Sequence, residues 1–263
     1  MIHTTDTPET LFRQAMEAPL TPEGEIDARQ SIQSVMNGLL ARRELKYDPR
    51  LQGMLLACRL RLRTLQNTVL CAREESGFLA RLCELREYAS DLCAAANILL
   101  APLGRQVRFA APEEPMECPC APRDIAWLLL ELICNSALHC PGEEIAVSLE
   151  PTPRGIKRAR AYTLTVECEG PLDLAALHAA GLRTGSGLAA MQAIARLHHG
   201  ALLWLERGGK SIAAFRIAGK AGGENQGGWL ASHPYSDVPD CVELLSDPCS
   251  LVYTALAPAV GGI

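Results

Sequence analysis

"ELICNSALH", Glu131 to His139, and "RTGSGLAAMQAIARLHHG", Arg183 to Gly200, decide how this chain reads. In the first, Glu131 and Asn135 stand one turn apart, so on a helix they project from one face. A carboxylate there can orient or deprotonate a water or hydroxyl, and an amide oxygen can ligate a hard cation such as Mg²⁺ bridged to phosphates. A structural hydrogen-bonding pair on an apolar helix has the same spacing. In the second, Gly185 and Gly187 precede a helix. Small residues there let the backbone approach phosphate oxygens, and the helix N-terminus supplies amides and a positive dipole end. A plain helix-opening turn looks alike.

Around these motifs the elements alternate. "DLCAAANILLAPLG" reads as a helix ending near Gly104, "QVRFAA" as a strand, and Asp124 to His139 as a long apolar helix. "EIAVSLEP" and "AYTLTVECEG" are strands paired across the basic turn "TPRGIKRAR". Ala189 to His198 is a helix, and "ALLWLERGGKSIAAFRIA" a strand, turn and strand. Antiparallel strands with helices on one face make an α+β sandwich.

Upstream, "TPEGEIDARQSIQSVMNGLLARREL" offers Thr21 as a cap, Pro22 at the first helical position, and Ile26, Ile32, Val35, Leu39 and Leu40 at helical spacing. After "KYDPR", with Asp48 as N-cap, Leu51, Leu55, Cys58, Leu62, Leu65 and Val69 recur at steps of four and three, the seam of a bundle. A short connection makes the two helices antiparallel. Two occupants fit the seam: a second copy completing a four-helix bundle, or the rest of the same chain. "AGGENQGG" then reads as a flexible linker, and Trp229 to Ile263 as an extension that docks on the body or on a partner.

Composition narrows the classes. The 263 residues are 48% hydrophobic and 21% charged, which is ordinary for a globular protein. Aromatics at 5% disfavour base-stacking RNA modules, and a net charge of -5 argues against broad nucleic-acid binding. Arg59, Arg61 and Arg63 read as a solvated helix face or as contacts for an acidic partner. No apolar run reaches membrane-span length and "MIHTTDTPET" lacks a signal-peptide layout, so a cytoplasmic location is expected. The 11 cysteines, spread through helices, then read as small buried apolar residues. Cys118 and Cys120 are the one close pair, with no second pair to complete a metal site.

The order of these parts resembles the ATP-binding domain of the GHKL superfamily, especially bacterial sensor histidine kinases. "LLELICNSALHCP" (Leu129 to Pro141) is similar to the N-box, "TGSGLAAMQAIARLHHG" (Thr184 to Gly200) to the second glycine box, and Ala201 to Ile217 to the closing hairpin. "REESG" (Arg73 to Gly77) falls at the usual junction between dimerisation hairpin and ATP domain. The resemblance runs from Glu25 to Gly219 and implies an N-terminal segment (1–20), a dimerisation hairpin (21–77), an ATPase-like α/β sandwich (78–220) and a linker with extension (221–263). It further implies that Asn135 ligates Mg²⁺, that Glu131 polarises the nucleophile or holds a metal-bound water, and that Thr184, Gly185, Ser186, Gly187 and Leu188 cradle the phosphates of ATP. His139 falls where a nucleotide-touching residue often stands, or is a helix-end histidine.

Three departures from the family follow. Ile26, with Asp27 after it, occupies the place of the phosphate-accepting histidine, and none of the 6 histidines lies between Thr21 and Gly77. In the adenine box, "VECEGPLD" puts Cys168, Glu169, Gly170 and Leu172 where an aspartate, an asparagine and two glycines are usual. Adenine readout is then weaker or supplied by Glu167 or Glu169. Losing a hydrogen bond to a charged group costs ~1.5–3 kcal/mol, roughly ten- to a hundredfold in affinity. Finally, "LDLAALHAA" and a few more residues leave no room for a long lid, and Arg183 is either a substitute phosphate contact or an exposed arginine.

The expected function is that of a degenerate histidine-kinase-like signalling protein, a homodimer acting on a response regulator or other signalling protein, with weak or lost Mg–ATP binding. An active kinase or ATPase working in trans, and an anti-sigma-like binding module, are the alternatives. Fewer than about two dozen residues precede the hairpin, so no sensor domain is recognised.

Overall fold

The computed structural model describes residues 8–73, 81–152, 161–171 and 186–218. The "REESG" junction past Arg73, the basic turn, the short lid segment, Arg183 to Gly185, and the linker and extension from residue 219 lie outside the described residues. The chain divides into two compact units, Met1–Arg73 with Gly181–Ala190, and Glu74–Ala180 with Met191–Ile263.

The N-terminal part of the first unit is built on the helices α1 (Pro8–Glu17), α2 (Glu25–Leu40) and α3 (Pro49–Ala72). Helix α1 was not legible as an element. Its Leu11, Phe12 and Ala15 pack on a core of Ile32, Val35, Met36 and Leu39 from α2 and Leu51, Met54, Leu55, Cys58 and Leu62 from α3. Of the two occupants open to the α3 seam, the chain itself therefore supplies one for this stretch. Arg61, within the expected solvated basic face, instead donates from Nε to the Ala15 carbonyl at 3.3 Å and from Nη2 to the Ala18 carbonyl. It thereby satisfies carbonyls that the end of α1 leaves unpaired.

Helix α2 begins at Glu25 rather than at Pro22, because Thr21 spends its hydroxyl on the Gly24 amide, at 3.2 Å, in a turn before the helix. Helix α3 starts where Asp48 and Pro49 place it: the Asp48 carboxylate accepts from the amides of Arg50 at 2.8 Å and Leu51 at 3.4 Å. Asp48→Ala removes that cap and is expected to cost about 1 kcal/mol, read as a lower denaturant midpoint with an unchanged slope. An unchanged midpoint would show the cap to be idle. Ile26, Leu40 and Leu60 project outward from the two helices, Ile26 being 70% exposed.

The second unit is α+β. Its five-stranded sheet runs β2–β4–β5–β7–β6, from β2 (Gln106–Ala110), β4 (Glu144–Pro151), β5 (Ala161–Glu169), β6 (Ala201–Arg207) and β7 (Lys210–Ala218). Only β2 and β4 pair parallel; the other neighbours are antiparallel. The parallel pair follows from the connection between them, which carries the long helix α5 (Pro122–His139). Alternation decides the faces: Ile145, Val147 and Leu149 of β4 and Tyr162, Leu164, Val166 and Cys168 of β5 are buried. Helices α4 (Leu85–Leu100) and α5 pack on this sheet. From Asp124 to Cys134 every residue of α5 is buried.

A second, two-stranded sheet, β1 (Arg81–Glu84) with β3 (Glu117–Cys120), was also not anticipated. Cys83 and Cys118 face each other across it. Burial pushes the Cys118 thiol up to about 12, and Cys120 is raised first by a hydrogen bond with Cys83 and then by burial. Tyr162 donates its hydroxyl to the Glu117 carbonyl at 3.2 Å and ties β3 to the main sheet. Among the described residues, no helix is long and apolar enough to cross a membrane.

Candidate functional site

Helix α5 carries three of the expected site residues. Its Pro122 stands in the first turn, where a missing N–H costs nothing, and the run of Leu and Ile behind it drives the helix into the core. Glu131 is fully buried, Asn135 one turn later is half-buried, and His139 at the end is exposed. The three thus grade from core to solvent along the helix. The helix stops at Cys140, whose amide donates to the Ser136 carbonyl at 3.0 Å while its backbone turns extended (φ -95°, ψ 137°). Pro141 dictates that turn, since the residue before a proline is pushed out of the helical region.

Beyond this helix end lies the end of β5. Gly170 has φ +128°, and a Cβ on it would meet Pro141 Cδ at 2.6 Å; a Cβ on Gly142 would meet Glu169 Cβ at 2.8 Å. Segments 140–142 and 168–170 thus touch through two glycines, and only glycine fits at either place. Gly170 is fixed on both sides: its amide donates to the Gly209 carbonyl at 3.0 Å, and its carbonyl accepts from Ser211 Oγ at 2.8 Å. Arg105 Nη1 donates to the carbonyls of Pro141, at 3.3 Å, and Gly142.

The cysteines at this junction correct the expectation of uniformly free, buried thiols. Cys140 and Cys168 form a disulfide, with Cα atoms 6.3 Å apart. Neither sequence position nor spacing points to it, because the pairing depends on α5 ending beside β5. Cys168, which the sequence resemblance sets against the family's aspartate, therefore has no free thiol. Glu167 is no substitute. It alternates to the opposite face from Cys168 and accepts a 2.5 Å hydrogen bond from Lys210 Nζ, which holds that ammonium above its ordinary value.

The second motif is described in part. Ser186 Oγ accepts from the Ala189 amide at 3.1 Å and caps α6 (Gly187–Leu197), of which Gly187 is the first residue and Leu188 the next, buried. Arg183, Thr184 and Gly185 lie outside the described residues.

His198 was overlooked in the sequence. It is buried; its Nε2 accepts from the Ala121 amide at 3.1 Å, and Nδ1 lies 2.9 Å from the Ile194 carbonyl. Those partners assign a neutral ring with the proton on Nδ1. His198 so joins the end of α6 to the first turn of α5, which has no side-chain cap of its own. The doublet "HH" before a glycine was the available signal.

The donor set is one-sided. The Asn135 amide and the carboxylate of Glu131, one turn deeper, are hard oxygen donors of the type magnesium takes. The residue expected from the resemblance to face the base fits less well, because the Cys168 sulfur is bonded to Cys140.

No family model matches the chain, and no curated protein does. Solved structures do match it. The Acinetobacter baumannii histidine kinase AdeS is 20% identical over 72% of this chain and 95% of its own, with a TM-score of 0.52. The full-length ShkA in complex with AMPPNP is 14% identical, with a TM-score of 0.56 over 77% of this chain and 47% of its own. At such identities the likeness is one of fold: helices followed by the histidine-kinase-like α/β sandwich that the sequence resemblance implied.

Proposed function

We propose that this chain, built on a histidine-kinase-like fold, is a degenerate kinase of signal transduction that works by dimerisation and partner binding, with nucleotide binding weak or lost. The observation that carries this is the Cys140–Cys168 bond, which ties up the residue that the sequence resemblance sets against the adenine-reading carboxylate. Ile26 adds to it. At the place of the acceptor histidine stands an apolar side chain that cannot take a phosphoryl group, and it is 70% exposed. With Leu40 and Leu60 it gives the hairpin an outward apolar character suited to a second copy, and a response regulator is the class of partner such a hairpin would meet. The domain boundaries given above, and a cytoplasmic location, belong to the same reading.

On the metal side, Asn135 would hold Mg²⁺ and Glu131 would orient its water; bound Mg–ATP would supply a transferable phosphoryl group. The chain's own residues do less: Ser186 caps the helix that opens at Gly187, and Gly170 keeps its backbone locked to Gly209 and Ser211.

Calorimetric titration of untreated protein with ATP and ADP, with and without Mg²⁺, tests the reading. The expected dissociation constant is about 1 mM or weaker, some −4 kcal/mol of binding, and Asn135→Ala is expected to erase whatever magnesium dependence is seen. Magnesium-dependent binding in the micromolar range with ATP turnover would overturn it in favour of an active enzyme.

A further inference from the structure

Cys140 closes α5, the helix bearing Glu131 and Asn135, and Cys168 lies at the end of β5, so their bond ties that helix end to that strand end. Their Cα separation of 6.3 Å is one that a disulfide spans. Among the described residues, no other disulfide is formed. The interlocked glycines make the bond consequential: Pro141 rests against Gly170 and Glu169 against Gly142, so the bond fixes the two segments in their closest packing.

We propose that Cys140 and Cys168 are a reversible thiol–disulfide site, and that its oxidation state sets access to the base side of the nucleotide site: linked and closed, reduced and open. This rests on the nucleotide-site reading above. Two consequences of the bond carry it. In the disulfide, neither sulfur has a proton, and Cys168 is held covalently to Cys140. After reduction, residue 168 regains a thiol that can donate or accept, and segment 140–142 can move off Gly170. The pair stays poised to close again, because Ser211 and Gly209 hold Gly170, and with it the end of β5, in place.

The chemistry needs a small disulfide such as oxidised glutathione. One cysteine thiolate attacks a glutathione sulfur, breaking its S–S bond and releasing one glutathione thiolate. The other cysteine thiolate then attacks the mixed disulfide and expels the second. Two protons leave the cysteines and end on the two glutathiones; the pair is oxidised by two electrons and the glutathione disulfide reduced by two.

The test equilibrates the full chain in glutathione buffers of graded ratio, traps free thiols by alkylation, and quantifies the 140–168 cross-linked peptide by mass spectrometry. A fluorescent ATP analogue with Mg²⁺ is titrated into each sample. The reduced protein is expected to bind about tenfold more tightly than the oxidised one, or ~1.4 kcal/mol, with Cys140→Ser matching the reduced protein at every ratio; Cys140→Ala replaces it if the serine variant does not fold. A pair that never links across the series, or equal affinity in both states, overturns the inference. Absent binding in both states and in the variant also overturns it, while leaving the partner-binding reading intact. Micromolar binding with turnover in every state overturns both.

Discussion

Gly200→Ala is expected to destabilise the second unit by about 3 kcal/mol or more. Helix α6 ends in a pair of reversed hydrogen bonds: the Gly200 amide donates to the Ala195 carbonyl and the His199 amide to the Arg196 carbonyl, both at 2.9 Å. His199 sits at φ 50°, the left-handed residue that such a helix end requires. Gly200 then passes directly over β7. A Cβ there would lie 1.8 Å from the Arg216 carbonyl oxygen and 3.0 Å from its carbon. Both obstacles are backbone, and the register pairs Arg216 with Ala201 of β6 and Thr163 of β5, so that strand cannot retreat. Either the helix end unwinds or the β6–β7 pairing opens. Denaturant unfolding followed by circular dichroism reads the loss; a midpoint shift worth under about 1 kcal/mol would show that the turn can move aside.

Phe215→Ala comes next, at about 3–5 kcal/mol. Phe215 is the largest fully buried side chain, and its ring meets His198 edge-on, 6.2 Å between centroids. Removing it leaves a cavity and takes away one wall of the pocket holding the imidazole. Because His198 reaches the Ala121 amide, the damage should spread to the start of α5, the helix bearing Glu131 and Asn135. A double-mutant cycle with His198→Ala is expected to show coupling of about 0.5–3 kcal/mol. Strict additivity would mean that the two rings touch without supporting each other.

What the sequence disclosed, it disclosed through periodicity and punctuation. The steps of four and three in α3, the Asp48–Pro49 start, the apolar run of α5 and the alternation of β4 and β5 each stated one element's type and buried face. Helix α1 escaped because the apolar face of "PETLFRQAME" is only ten residues long, and its end is satisfied by Arg61 from a helix far along the chain. The strand "ECPC" escaped because four residues containing a proline give no usable alternation. At the candidate site, spacing placed Glu131 and Asn135 on one face of α5 but could not say that one is sealed and the other half open. That difference belongs to the layers packed around the helix. The Cys140–Cys168 bond was invisible for the same reason: it is a property of where two elements end.

Among the described residues strand β6 ends the sheet order with no strand on one of its rims, and Leu203 and Leu205 stand more than half exposed along it. Open backbone groups beside apolar side chains form a template for another extended chain, and this rim is where concentrated protein would begin to aggregate. The charges gathered at its far end, Glu206, Arg207 and Lys210 around the Gly208–Gly209 turn, act as gatekeepers that limit such pairing to one end. Handling of the purified protein is therefore governed by salt: screening those charges should lower its solubility before it lowers its stability.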